Sequence, residues 1–91
     1  MKYMIGDIGN TSTKVCILNS KFEIVKSFNF ETNKIYKKNY LMAILKNYLN
    51  RDLNPNFIFS CVVPSIFKEI KKKFKLTRYK IFEIKNFNLK K

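Results

Sequence analysis

The chain has 91 residues with 19 Lys or Arg against six Asp or Glu, a formal net charge of +13, 46% hydrophobic and 15% aromatic residues, and no histidine. That describes one small folded domain, burying roughly 60–65% of its unfolded surface, and it excludes zinc sites of the usual kind and imidazole acid–base chemistry. The longest apolar run, Phe57–Val63, is strand-sized and far short of a membrane span, and Asp7 and Asn10 interrupt any N-terminal secretory signal.

The first predicted strand, Lys2–Ile8, is apolar on both faces and suits a central position covered twice. The chain's two glycines, Gly6 and Gly9, flank Asp7 at its end. Glycine serves positive φ and close backbone approach, so this turn is expected to be a special backbone site. The second strand is Ser12–Leu18, and Asn19-Ser20-Lys21 turns into a third, Phe22–Phe30. There Phe22, Ile24, Phe28 and Phe30 face one way, and Glu23, Ser27, Asn29 and Glu31 the other, with Val25 the exception. A polar break at Thr32–Lys34 precedes a helix over about Tyr36–Asn50, with Tyr40, Leu41, Ile44, Leu45, Tyr48 and Leu49 as its apolar stripe. Asn54-Pro55-Asn56 is a turn. A fourth strand, Phe57–Val63, again reads as central. Pro64 opens a second helix to about Lys75, with Ile66, Phe67, Ile70 and Phe74 inward. Thr77–Ile84 is a fifth strand, and Asn86–Lys91 a short tail.

The order is β-β-β-α-β-α-β. Right-handed crossovers place the first and fourth strands together in the middle of a mixed sheet, the meander on one flank and the fifth strand on the other. The turn after the first strand then meets the Ser60-Cys61-Val62-Val63-Pro64 junction at one end. Too few helices remain to cover the second face of the central strands, so self-association or poor solubility without a partner is expected. Cys16 and Cys61 lack metal spacing and read as buried, reduced thiols.

The chemistry concentrates in Asp7 to Lys14. The tip Gly9-Asn10-Thr11-Ser12 is expected to leave convergent N–H groups, a nest for anions. The hydroxyls of Thr11, Ser12 and Thr13 and the Lys14 ammonium add donors for phosphate oxygens. A carboxylate repels phosphate unless a cation lies between, so Asp7 is read as orienting water on a Mg²⁺ ion. The competing reading is a plain hairpin rich in turn formers. The stretch is neither a Walker loop, lacking Gly before Lys14, nor a Rossmann fingerprint, since a strand follows it.

Asp7-Ile8-Gly9-Asn10-Thr11, then Lys14, then Ser60-Cys61-Val62-Val63-Pro64 closely resembles the N-terminal half of type III pantothenate kinases, in the sugar-kinase/actin superfamily of ribonuclease-H-like halves. The resemblance covers nearly the whole chain. It implies an α/β ribonuclease-H-like domain over 1–85, the first of two, with the catalytic second domain absent. It further implies ATP-dependent phosphorylation of pantothenate toward coenzyme A, Mg²⁺, a monovalent cation such as K⁺ or NH₄⁺ whose ligand is missing here, a homodimer or complementing second chain, and a cytoplasmic location. Asp7, Gly9, Asn10, Thr11 and Lys14 fall on the family's first phosphate motif. Gly6 departs from the aliphatic residue usual there. The family's general base, an Asp in a G-x-D-R motif, has no counterpart; Asp52 reads as a helix-end surface residue. The resemblance therefore assigns no catalytic residue to this chain and implies inactivity alone.

The alternatives are a basic module that binds nucleic acid on its sheet, and a non-functional remnant. The positive charge is nearly all lysine, with only Arg51 and Arg78. It tracks a composition rich in Lys, Asn, Ile, Phe and Tyr, whose codons are A/T-rich, whereas base- and phosphate-reading sites favour Arg. This weighs against nucleic acid. Ribonuclease H catalysis needs a carboxylate cluster, and Asp7 stands alone in the expected pocket.

Overall fold

The structure, a computed structural model, describes residues 1–84; the expected tail lies outside the described residues. Five strands, β1 (Tyr3–Ile8), β2 (Ser12–Leu18), β3 (Ile24–Glu31), β4 (Asn56–Cys61) and β5 (Lys80–Ile84), form one sheet of order β3-β2-β1-β4-β5. The meander β1-β2-β3 is antiparallel; β4 runs parallel to both β1 and β5. This is the mixed sheet expected from the sequence, with β1 and β4 at its centre. No helix among the described residues is long and apolar enough to cross a membrane.

Among the described residues the helical elements lie on one face. They are a 3₁₀ helix at Thr32–Tyr36, α1 (Tyr40–Leu45) and α2 (Pro64–Lys73). Ile35, Leu41, Leu45, Ile66, Ile70 and Phe74 close over Met4, Ile8, Val15, Phe30, Phe57 and Phe59 from the sheet. Phe57 is the centre of an aromatic cluster, edge-on to Phe74 and stacked on Tyr79, with centroids 5.6 and 5.0 Å away.

Three expectations are corrected by local geometry. The first helix is split: Asn39, at φ 64°, separates the 3₁₀ helix from α1, so the expected break at Thr32–Lys34 is helical and the expected helix is only six residues long. Asparagine tolerates left-handed backbone, and the kink brings Ile35 as well as Leu41 onto the core. The β2–β3 register shifts at Ile17/Leu18, which puts Ile24 opposite Leu18, exposed and away from Phe30. Finally, neither glycine has positive φ; among the described residues that conformation belongs to Phe22 and Asn39. Gly6 is required by space. It pairs with Phe59 on β4, whose ring lies where a Gly6 side chain would begin. The aromatic ring thus takes the volume that an aliphatic residue would fill.

The opposite face has three rows set by the registers. Asn29, Lys14, Asp7, Ser60 and Ile84 form the row at the carboxyl end of β1; Ser27, Cys16, Ile5, Ile58 and Phe82 form the next; Leu18 and Tyr3 begin the third, which Asn56 and Lys80 continue. The β2–β3 turn folds over one corner, where Phe22 lies 5.0 Å from the Tyr3 ring. Cys16 and Leu18 are buried there. Ile5, Ile58 and Phe82 remain 38, 39 and 50% exposed.

Replacing a strand glycine by alanine ordinarily gains about 0.5–1 kcal/mol. Here Gly6→Ala is expected to destabilise by about 1–3 kcal/mol through overpacking, and adding Phe59→Leu should recover part of that loss. Urea unfolding of the single and double variants checks both the sign and the coupling.

Candidate functional site

Gly9, Asn10 and Thr11 join β1 to β2 at the carboxyl end of β1. The turn closes on itself, the Gly9 N–H donating to the Ser12 carbonyl at 3.0 Å. A Cβ on Gly9 would stand 3.0 Å from that oxygen, so this glycine, too, is a matter of room. Among the described residues nothing accepts a hydrogen bond from the Asn10 or Thr11 N–H groups, and both residues are exposed together with Ser12 and Lys14.

Thr32 holds the turn from behind. Its N–H donates to the Thr11 carbonyl and its hydroxyl to the Gly9 carbonyl, each at 2.8 Å. Its Oγ1 also lies 2.8 Å from Thr13 Oγ1. A hydroxyl has one proton, and Thr32 spends its own on Gly9, so the Thr13 hydroxyl is the donor between the two. Thr13 is fully buried and Thr32 nearly so. Of the candidate residues, Thr13 therefore faces the core and supports the turn, whereas Asn10, Thr11, Ser12 and Lys14 face outward. Sequence reasoning took Thr32 for part of a linker; only the Ser12↔Glu31 pairing, a matter of three-dimensional register, brings it here.

On the open face, the ladder sets Asp7 opposite Lys14 on one side and Ser60 on the other. Ser60 Oγ donates to Asp7 Oδ1 at 3.0 Å. This single bond orients an exposed carboxylate while leaving it further acceptor capacity. The Val62 N–H donates to the Ile8 carbonyl at 3.1 Å, tying the junction to the end of β1. Cys61 shapes that junction: its sulfur accepts from the Val63 N–H at 3.3 Å and lies 3.0 Å from the Val63 carbonyl oxygen. Both cysteines are free thiols, Cys16 buried and Cys61 half-buried. Pro64 has no N–H, and the Ile66 N–H returns to the Val63 carbonyl, so the start of α2 offers fewer donors than a helix end usually does.

Glu31 and Asn33, which the sequence did not single out, border a cleft of about 180 Å³ with Asn10 and Thr11. Glu31 is also within 3.9 Å of Lys34. A roomier hollow of about 390 Å³ includes Lys71, Phe74, Tyr79 and Phe82 in its lining. It opens near the start of β5, at the other end of the parallel strands, whereas ligands in open α/β sheets bind beyond strand carboxyl ends. Asp52 lies apart on the surface, 3.6 Å from the Met1 amino group. Among the described residues no three His, Cys, Asp or Glu side chains gather as a metal cage. One oriented carboxylate beside outward amides and hydroxyls fits a cation that keeps most of its own water and bridges to an anion.

The fold is that of the actin-like ATPases and sugar kinases. A Listeria monocytogenes protein described as a putative N-acetylmannosamine kinase superposes with a TM-score of 0.61 at 14% identity, over 91% of this chain and 34% of its own. A Bacteroides thetaiotaomicron protein with an actin-like ATPase fold and unknown function gives 0.59 at 14% identity, over 91% and 32%. Within that fold the sequence is more specific. The family model for type III pantothenate kinase matches residues 3–90. The type III pantothenate kinase of Pelagibacter ubique (strain HTCC1062) is 39% identical over 90 residues, 97% of this chain and 36% of that protein. The chain belongs to the type III pantothenate kinase family, and it spans about a third of the length of the relatives it matches.

Thr32→Val keeps the shape of the side chain but removes the donor to Gly9 and the acceptor for Thr13. The expected cost is about 1–3 kcal/mol, the range for stranding buried polar groups. Thr32→Ser should retain most of the stability. Chemical denaturation of the two variants separates the hydroxyl from the methyl.

Proposed function

We propose that this chain is the ATP-phosphate-binding part, over residues 1–85, of a type III pantothenate kinase, and that it does not turn over alone. The observation that carries the reading is the Ser60–Asp7 hydrogen bond of 3.0 Å beside the Gly9–Ser12 turn. It joins two segments that both match the family. In this reading the Asn10 and Thr11 amides and the Thr11, Ser12 and Lys14 side chains hold the nucleotide's phosphates. Thr13 and Thr32 keep the turn in shape. Asp7 binds a Mg²⁺ ion through its water, and Mg²⁺ supplies charge neutralisation between the phosphates. Pantothenate, the monovalent cation and the general base are assigned to the part of the family's length that these 91 residues do not span. That part is read as the rest of a longer chain or as a complementing second chain, with the assembled protein a homodimer in the cytoplasm. Phosphoryl transfer requires both substrates positioned together, which one half-site cannot do.

Two measurements test this. Calorimetric titration with Mg²⁺–ATP should show binding that weakens about tenfold in Asp7→Asn, a loss of about 1.4 kcal/mol, with little change when Mg²⁺ is withheld from both proteins. Unchanged magnesium-dependent affinity in the variant overturns the role of Asp7. Phosphopantothenate formation should be absent with the chain alone; turnover by the purified chain overturns the claim of inactivity. Salt-sensitive binding of random-sequence RNA or DNA, with no nucleotide binding, would favour the basic-module reading instead.

A further inference from the structure

We propose that the hollow between the end of α2 and the start of β5 is a second binding site, one that takes a small aromatic oxyanion, an aryl carboxylate or an aryl phosphate. The proposal is independent of the phosphate-binding reading, because it uses no residue of the Asp7 site.

The hollow has a volume of about 390 Å³, toward the lower end of the range for small-molecule sites. Its floor is apolar. Phe74, Tyr79 and Ile81 reach it from the core side, and Phe82 closes it from the other face of β5. Three ammonium groups surround that floor: Lys71 in the last turn of α2, Lys75 just beyond it, and Lys80 at the start of β5. Among the described residues no carboxylate lines the hollow. Neighbouring cations are engaged elsewhere. Lys72 and Lys73 pair with Glu69 at 3.7 and 3.3 Å. Arg78 donates through Nη2 to the Asn50 carbonyl at 3.1 Å, with its guanidinium 4.9 Å from the centre of the Tyr79 ring.

An aromatic floor beneath ammonium groups selects a ligand with two parts. A flat apolar body displaces water from the rings, and an oxyanion receives charge-assisted hydrogen bonds from the lysines. Either part alone gains little. Exposed lysines hold a free inorganic anion weakly in water, and an uncharged ring offers the ammonium groups nothing in place of the water it displaces. The carboxyl end of a helix disfavours an anion, but here the carbonyls of Ile70, Lys71, Lys72 and Phe74 already accept from the N–H groups of Phe74, Lys75 and Thr77. Three full positive charges outweigh what remains of that dipole.

The site is shaped before a ligand arrives. The Thr77 hydroxyl donates to the Phe74 carbonyl at 2.7 Å and accepts from the Tyr79 N–H at 3.1 Å. The Lys80 N–H donates to the Pro55 carbonyl at 2.8 Å, and the Tyr79 ring stacks on Phe57. A wall held in this way costs little ordering on binding. The hollow lies at the opposite end of the parallel strands from the Asp7 turn and owes its chemistry to side chains rather than to crossover loops. It is therefore a separate site and not an extension of that pocket.

The test uses the whole chain, isotope-labelled, titrated in turn with naphthoate, naphthyl phosphate, uncharged naphthylmethanol and inorganic phosphate. The two aryl anions are expected to shift the amide resonances of Phe74 and of Thr77 to Phe82, and to bind about tenfold tighter than the alcohol. Inorganic phosphate should leave those resonances unmoved. Lys75→Glu and Lys80→Glu should each weaken both anions about tenfold, and Phe82→Ser should weaken them as well. Lys26→Glu changes the charge by the same amount on β3, at the far edge of the sheet, and should leave affinity unchanged. Amide spectra that keep the dispersion of the parent chain show that the variants are folded. Equal affinity for the anions and the alcohol overturns the proposal, as does movement of the same resonances by inorganic phosphate. Equal weakening in Lys26→Glu and Lys75→Glu overturns it too, since net charge would then be the cause. Shifts confined to Asn10–Lys14 place the anion on the phosphate turn and also overturn the second site. Binding of naphthoate at the hollow with no binding of Mg²⁺–ATP sinks the phosphate reading and leaves this site standing.

Discussion

The parallel ladder between β1 and β4 sets Asp7 opposite Ser60 and Gly6 opposite Phe59, and both the site and the core depend on that alignment. Successive strand residues face opposite ways, so the same register that points Asp7 and Ser60 to the open face points Gly6 and Phe59 into the core. A slip of one residue in β1 would bury the Asp7 carboxylate, and one in β4 would expose the Phe59 ring. The close fit of Phe59 over Gly6 opposes such a slip. Core packing and the placement of the carboxylate are therefore two results of one pairing.

The turn depends on a second constraint, supplied from the other side. A glycine–asparagine turn between strands is pliable, and exposed amides do not by themselves converge on a ligand. Thr32 restrains this one through three hydrogen bonds, two to carbonyls of the turn and one to Thr13. The outward residues of the turn can then present donors because the inward ones are already satisfied. The side chains that meet solvent and those that set the shape are adjacent in sequence yet have opposite duties.

Much of this architecture was legible in the sequence, for identifiable reasons. The five strands and their order followed from apolar runs and crossover handedness, and Pro64 marked the start of α2 where it was expected. Counting helices against two-faced strands also anticipated that the helical elements among the described residues share one face. The split of the first helix was hidden because Tyr40, Leu41, Ile44 and Leu45 keep helical spacing whether or not the turn before them is continuous, and Asn39 is an unremarkable residue until its φ is known. The glycines were attributed to positive φ or to close approach of the backbone to a ligand, because making room for a neighbouring side chain, as Gly6 does for Phe59, depends on the partner strand. Thr32 was invisible for the same reason: the partners of its hydroxyl are 19 and 23 residues away.

The separation between Asp7 and Ser60, 53 residues, also bears on the order in which the molecule is built. The β1–β2 and β2–β3 hairpins close over a few residues each, whereas the β1–β4 ladder must wait for a loop of about fifty. The difference in closure entropy is about 2.5 kcal/mol. Antiparallel hairpins can thus gather first, with the parallel half of the sheet joining afterwards. The carboxylate receives its serine only at that late step, so an intermediate holding just the meander would have the phosphate turn's sequence without the geometry that could make it a site.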